Sequence, residues 1–195
     1  MTRPGRPDSI GRMSTERSET PDISPVPPET KDWTVVIDHG CADCGFEPGY
    51  DVTTTGERTR ATVERWVAVL ERPGVPDRPR PGTWSPLEYA CHVRDLCRVF
   101  RERLRLMLDD EDPVFPDWDQ DAAAVQERYN EQDAYEVSGE IAQEIRATAD
   151  AFDAVSGEQW ARPGRRGDGK EFTVASFAAY FLHDLGHHLR FDVRG

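Results

Sequence analysis

Three of the five histidines in this chain fall within six residues, in Tyr180-Phe181-Leu182-His183-Asp184-Leu185-Gly186-His187-His188-Leu189. On a helix His183 and His187 are i and i+4, one above the other on one face. That is the spacing at which two imidazoles share a metal ion. Two ligands do not complete a site, so a third must come from elsewhere. His188 lies about a hundred degrees round the helix from His187 and is not expected to join the pair.

The third donor is sought on another helix. Ser85-Pro86-Leu87-Glu88 combines an N-cap serine, proline at the first helical position and a capping-box glutamate. It opens a helix that runs to about Leu108, with Tyr89, Val93, Leu96, Phe100, Leu104 and Met107 as its inward stripe. His92 sits at the edge of that stripe and Asp95 follows at i+3. Spacing alone leaves His92 either a ligand or a satisfied core residue. With His183 and His187 it would form a three-histidine set with an open position for water or substrate, the catalytic arrangement. Such a set suits zinc, nickel or iron. Asp95 and Asp184 stand where a carboxylate could orient an imidazole or act as base toward bound water.

A second group of donors lies near the N-terminus, in Asp38-His39-Gly40-Cys41-Ala42-Asp43-Cys44-Gly45-Phe46. A Cys-x-x-Cys-Gly turn resembles a zinc knuckle. A structural zinc takes four ligands, and the chain has no second Cys-x-x-Cys. His39 could be a third ligand, with Cys91 or Cys97 as a fourth. The alternatives are a redox dithiol or two cysteines packed under the domain.

Four elements must position these groups. Val63, Trp66, Val67 and Leu70 mark an amphipathic helix over about 54 to 72, ended by Pro73-Gly74. The Ser85 helix is the second. Ile141, Ile145, Thr148, Phe152 and Val155 mark a third from about Ala134 to Val155. The fourth runs from about Thr173 to Asp192 and is apolar or functional on most sides, the profile of a helix inside a bundle. Gly186 in its interior costs about 1 kcal/mol relative to alanine, which a close neighbour or room for a ligand would explain. Between helices two and three, Trp118 is a candidate for lining a substrate cleft, and a short helical piece is expected over about 124 to 129. The glycine-rich loop from Arg162 to Gly169 lacks a phosphate-loop signature and reads as a solvated turn. Lys31 to Ile37, β-branched and aromatic, reads as extended. The expected fold is an all-α four-helix bundle over 51–195, with an irregular Cys-x-x-Cys extension over 31–50 packed on it. Residues 1–30, rich in proline and poor in large apolar residues, read as a disordered tail, and Met13 offers an alternative start.

Composition narrows the function classes. Of 195 residues 37% are hydrophobic and 31% charged, with net charge −13 and pI about 4.8. That balance disfavours binding to a phosphate backbone. No apolar run approaches the roughly 18 residues of a membrane span, and no signal-peptide core precedes the domain. A cytoplasmic protein acting on a small molecule is expected, without nucleic-acid or membrane partners, and with a homodimer as the candidate assembly.

Trp84-Ser85-Pro86-Leu87-Glu88-Tyr89-Ala90-Cys91-His92-Val93-Arg94-Asp95 resembles the second-helix motif of the DinB/YfiT-like superfamily. His183-x-x-x-His187, some 90 residues on, resembles its closing motif. The likeness covers about 52 to 192. It implies a four-helix bundle of up-down-down-up connectivity and a divalent metal held by three histidines, which map onto His92, His183 and His187. It also implies metal-dependent hydrolase activity, or transferase activity with a low-molecular-weight thiol such as bacillithiol or mycothiol. The Cys-x-x-Cys turn lies outside the common domain and resembles an extension carried by some actinobacterial members. A non-catalytic metal-binding or thiol-sensing module working through Cys41 and Cys44 is the competing reading.

Overall fold

The Ser85 side chain accepts from the Glu88 backbone N–H, and the Glu88 carboxylate accepts from the Ser85 N–H in return. This closed capping box starts the longest helix, Pro86–Asp109. The structure is a computed structural model that describes residues 26–28 and 30–195; the expected tail, Met13 included, falls almost wholly outside them. In chain order the α-helices are α1 Val36–His39, α2 Thr55–Arg60, α3 Val63–Leu70, α4 Pro86–Asp109, α5 Gln120–Gln126, α6 Ala134–Asp153 and α7 Val174–His187. A π-helical turn, His188–Asp192, continues α7.

The bundle consists of α2/α3, α4, α6 and α7, as the periodicity predicts. Its first helix is broken at Ala61 and Thr62, where an unbroken helix was expected. Thr59 and Thr62 donate their hydroxyls to the carbonyls of Thr55 and Thr59, and such back-bonding competes with the helical ladder. The core is continuous across all four helices. At its centre the Phe100 ring stacks on Phe177 at 4.6 Å and meets Phe181 at 5.3 Å, while Phe152 meets Phe181 at 5.4 Å.

A small sheet was not anticipated. Strand β1 (Val114–Phe115) pairs in parallel with β2 (Pro163–Arg166), which pairs antiparallel with β3 (Glu171–Thr173). The glycine-rich segment supplies strand β2 and the tip of this hairpin, and Gly164 passes so close to the Met107 side chain that a Cβ would stand 2.6 Å from it.

The segment expected to be extended is helical instead. Asp32 accepts from the Thr34 N–H and hydroxyl, which seeds a 3-10 turn, Trp33–Val35, running directly into α1. Gly40 ends α1 with φ of 70°, where a Cβ would stand 2.5 Å from the Phe46 carbonyl. The chain then folds back, and Val36, Cys41 and Cys44 make a small cluster against Tyr180 of α7.

Candidate metal centres

α7 and its π-helical continuation carry two i,i+4 donor pairs, offset by one residue. His183 and His187 form one, and Asp184 and His188 the other. One residue is about 100° of rotation, so the pairs look out from adjacent flanks of the helix. Each meets a different partner.

On one flank, Cys41, Cys44, His183 and His187 bring one ligand atom each to within 4.8 Å of all the others. Cys41 Sγ stands 3.6 Å from His187 Nδ1. His183 is 2% exposed and neither of its ring nitrogens has a hydrogen-bond partner. Burial pushes the His183 imidazole down to about 4 and the Cys44 thiol up to about 11, so both favour their neutral forms unless a cation is present.

On the other flank, His92, Asp184 and His188 form a second group within the same limit. His92 is fully buried, with neither nitrogen partnered. Its ring stacks on Trp118 at 5.3 Å and 8°, lies 5.4 Å from Trp84, and meets His188 edge-on at 4.8 Å. Burial, and then the neighbouring His188, push His92 down to about 3. His188 behaves oppositely. Burial works against its charged form, but the Asp184 and Asp192 carboxylates outweigh that and raise it to about 9. Its Nε2 lies 3.0 Å from Asp184 Oδ1, and its Nδ1 lies 2.8 Å from Asp192 Oδ2.

The structure therefore divides the three histidines that spacing and resemblance group together. His183 and His187 stand with the two cysteines, and His92 stands with Asp184 and His188. His188, set aside on the helical wheel, faces His92 because the angle that separates it from His187 turns it to that flank. The signal was present in the sequence as Asp184-x-x-x-His188-x-x-x-Asp192, a ladder of four-residue steps.

Other expectations are corrected. His39 is exposed at the end of α1. Cys91 and Cys97 are buried in α4, where Cys91 Sγ approaches Gln132 Oε1 at 3.4 Å. None of the three joins Cys41 and Cys44. Asp95 is not placed to act as a base. Its Oδ1 accepts from Arg94 and Arg98 at 2.9 Å each, and its Oδ2 from Arg94 at 3.1 Å and Tyr129 at 2.6 Å. A carboxylate so fully engaged ties α4 to the turn that carries Tyr129. Asp184 Oδ1 lies 3.0 Å from His188 Nε2, within the His92 group.

Both groups fit a cation. His92 offers two unpaired nitrogens in a buried place, where an unpaired polar group is costly. His188 is held by a carboxylate on its far nitrogen, the usual support of a metal-binding imidazole. A cavity of about 480 Å³ opens onto both flanks, lined by Trp33, Tyr89, Tyr180, Asp184, His187 and His188 among others.

Residues 55–191 match the family model of the DinB superfamily. The solved structure of YfiT from Bacillus subtilis superposes with a TM-score of 0.62 at 17% identity, covering 75% of this chain and 89% of that one. YfiT is described as a probable metal-dependent hydrolase with an unusual four-helix bundle topology. No curated protein matches this chain. The capped α4 with His92, the four-helix bundle and a family match over most of the described residues agree, and the chain belongs to the DinB superfamily.

Proposed function

We propose that this chain is a metal-dependent enzyme acting on a small molecule, with His92, Asp184 and His188 holding one divalent cation beside the cavity. The observation that carries this reading is His92, fully buried and unpartnered at both nitrogens within reach of two further donors. A divalent ion supplies Lewis acidity there, which brings the pKa of a water or a low-molecular-weight thiol toward neutrality.

The chain's own residues do the rest. Asp192 accepts the Nδ1 proton of His188 and fixes its ring, leaving Nε2 as the coordinating nitrogen. Trp84 and Trp118 flank His92 and keep bulk water from it. Tyr180 lines the cavity with its hydroxyl pushed up by burial to about 12. It stays protonated and can donate a hydrogen bond to a substrate oxygen. Water as nucleophile makes the protein a hydrolase; a mycothiol-like thiol makes it a transferase.

Metal analysis of the purified full chain and of single variants tests the ligand set. His92→Ala and His188→Ala should each lose one ion with helical content unchanged. Loss in His92→Ala and His183→Ala but not in His188→Ala would favour the three-histidine set instead. An activity screen pairing thiols with electrophiles, alongside ester and amide substrates, assigns the nucleophile. Inactivity in every assay would favour the non-catalytic module built on Cys41 and Cys44.

A further inference from the structure

We propose that Cys41, Cys44, His183 and His187 hold a zinc ion of their own, in a closed Cys2His2 site that clips the N-terminal extension to α7. No donor is shared with the His92 group, so the inference stands independently of the catalytic reading.

The geometry is that of a tetrahedral site. With Zn–S near 2.3 Å and Zn–N near 2.0–2.1 Å, a tetrahedral angle puts sulfur and nitrogen about 3.6 Å apart. Cys41 Sγ and His187 Nδ1 are separated by 3.6 Å. A thiol-to-imidazole hydrogen bond would account for that one contact. It would leave His183 unexplained, since that side chain is 2% exposed with both nitrogens unpartnered. A fourfold site gives it a bond.

The Cys-x-x-Cys turn is built to present both sulfurs to one point. The Gly45 N–H donates to the Cys41 carbonyl and the Cys41 N–H to the Phe46 carbonyl, each at 2.9 Å. Gly45 adopts φ of 71°, which glycine takes without strain. Two thiolates and two neutral imidazoles cancel the charge of a divalent ion, so a buried site gains no net charge. Four protein ligands leave no open position, which makes the site structural.

The extension has reason to need such a clip. Its own buried apolar cluster is Val36, Cys41 and Cys44, a small core against the entropy of ordering some twenty residues. Trp33 closes over the site, its ring 5.2 Å from His183 and 4.8 Å from His187. Trp33 and Asp43 also line the 480 Å³ cavity. The zinc thus sets one wall of that cavity, a consequence that rests on the catalytic reading where the site itself does not.

Cobalt(II) substitution and metal analysis of the full chain test the site. The wild type should bind two ions, and its cobalt form should show a near-ultraviolet thiolate-to-cobalt charge-transfer band with the intense visible bands of a tetrahedral ion. Cys44→Ser and His183→Ala should each drop to one ion and lose that band, while His188→Ala drops to one ion and keeps it. A wild-type cobalt spectrum without the thiolate band overturns the proposal, as does full metal content in Cys44→Ser. If Cys44→Ser fails to fold by circular dichroism, the wild-type spectrum decides alone. One ion per chain with the thiolate band present would sink the His92 site and leave this one standing.

Discussion

His187 and His188 share a peptide bond, yet their rings stand 6.0 Å apart at 81° and serve different ligand groups. A single helix can do this because consecutive side chains diverge by about 100° while those four apart align. Four residues of α7 and its continuation, His183, Asp184, His187 and His188, therefore behave as two interleaved pairs. The π-helical turn at His188–Asp192 follows immediately, as such turns often do at functional sites. Asp192, in that turn, reaches back to His188.

Asp192→Asn removes the carboxylate that fixes His188, without removing a ligand. Loss of such a supporting group typically costs 10–100-fold in metal affinity. Competition titration against a chelator should show a drop of that order for the ion at His92, Asp184 and His188. The thiolate band of the cobalt form should be unaffected. An unchanged affinity would mean that Asp192 only neutralises a protonated His188.

Trp118 gives an optical handle on the same site. Its ring lies parallel to the His92 ring at 5.3 Å, so a paramagnetic ion bound at His92 should quench its fluorescence strongly. Trp84, 5.4 Å from the same ring, is within equal reach, so titrating nickel(II) or cobalt(II) should quench the wild type more than the Trp84→Phe/Trp118→Phe double variant. Equal quenching in both proteins would place the ion elsewhere.

Asp95, engaged on both oxygens, is expected to contribute to the stability of the fold. Burial raises its carboxyl, but hydrogen bonds from Arg94 and Tyr129, helped by Arg94 and Arg98 charge, prevail and hold it below the usual carboxylate range. A depressed folded-state pKa contributes stability that is present above the unfolded value, about 3.9, and is lost as pH falls through the folded value. Asp95→Asn leaves Arg94, 5% exposed, short of a partner. Because Arg94 keeps Glu140 and Gln132, chemical denaturation at pH 7 should show a loss of about 1.5–3 kcal/mol, the range for hydrogen bonds to charged groups. Below pH 4 the gap between variant and wild type should narrow, and metal content should be the same in both.

The four bundle helices were legible because their stripes obey a 3.6-residue period and the Ser85 cap is a local signal. The sheet was not, because strands of two to four residues carry no usable alternation and Pro113, Pro116 and Pro163 break any run. Lys31 to Ile37 misled because β-branched and aromatic residues favour strands on average, whereas Asp32 capping the turn decided the matter locally. At the site, spacing singles out His92 and the His183–His187 pair, and the structure places each of them in a group of donors that could hold a metal ion. Which partners they meet depended on where the Cys41 turn docks, a tertiary relationship no single window of sequence contains. His188 is not legible from the face it shares with His187, because its signal lies in its partners four residues away on either side, Asp184 and Asp192.

Gly186 separates a packing role from a ligand role. A Cβ built there meets nothing within 4 Å, so no close neighbour requires the glycine. It lines a cavity of about 510 Å³ with Phe46, Tyr50, Arg58, His183 and Arg190, on the Cys41 side of α7. If that space is only solvent, Gly186→Ala should stabilise the fold by up to about 1 kcal/mol through helix propensity alone. Metal content and turnover should then match the wild type. If the space receives part of a substrate, the methyl group intrudes on it, and KM should rise while the same stability gain appears in thermal unfolding. Measuring both quantities on one variant distinguishes the cases, because the propensity term acts on folding whether or not a ligand binds.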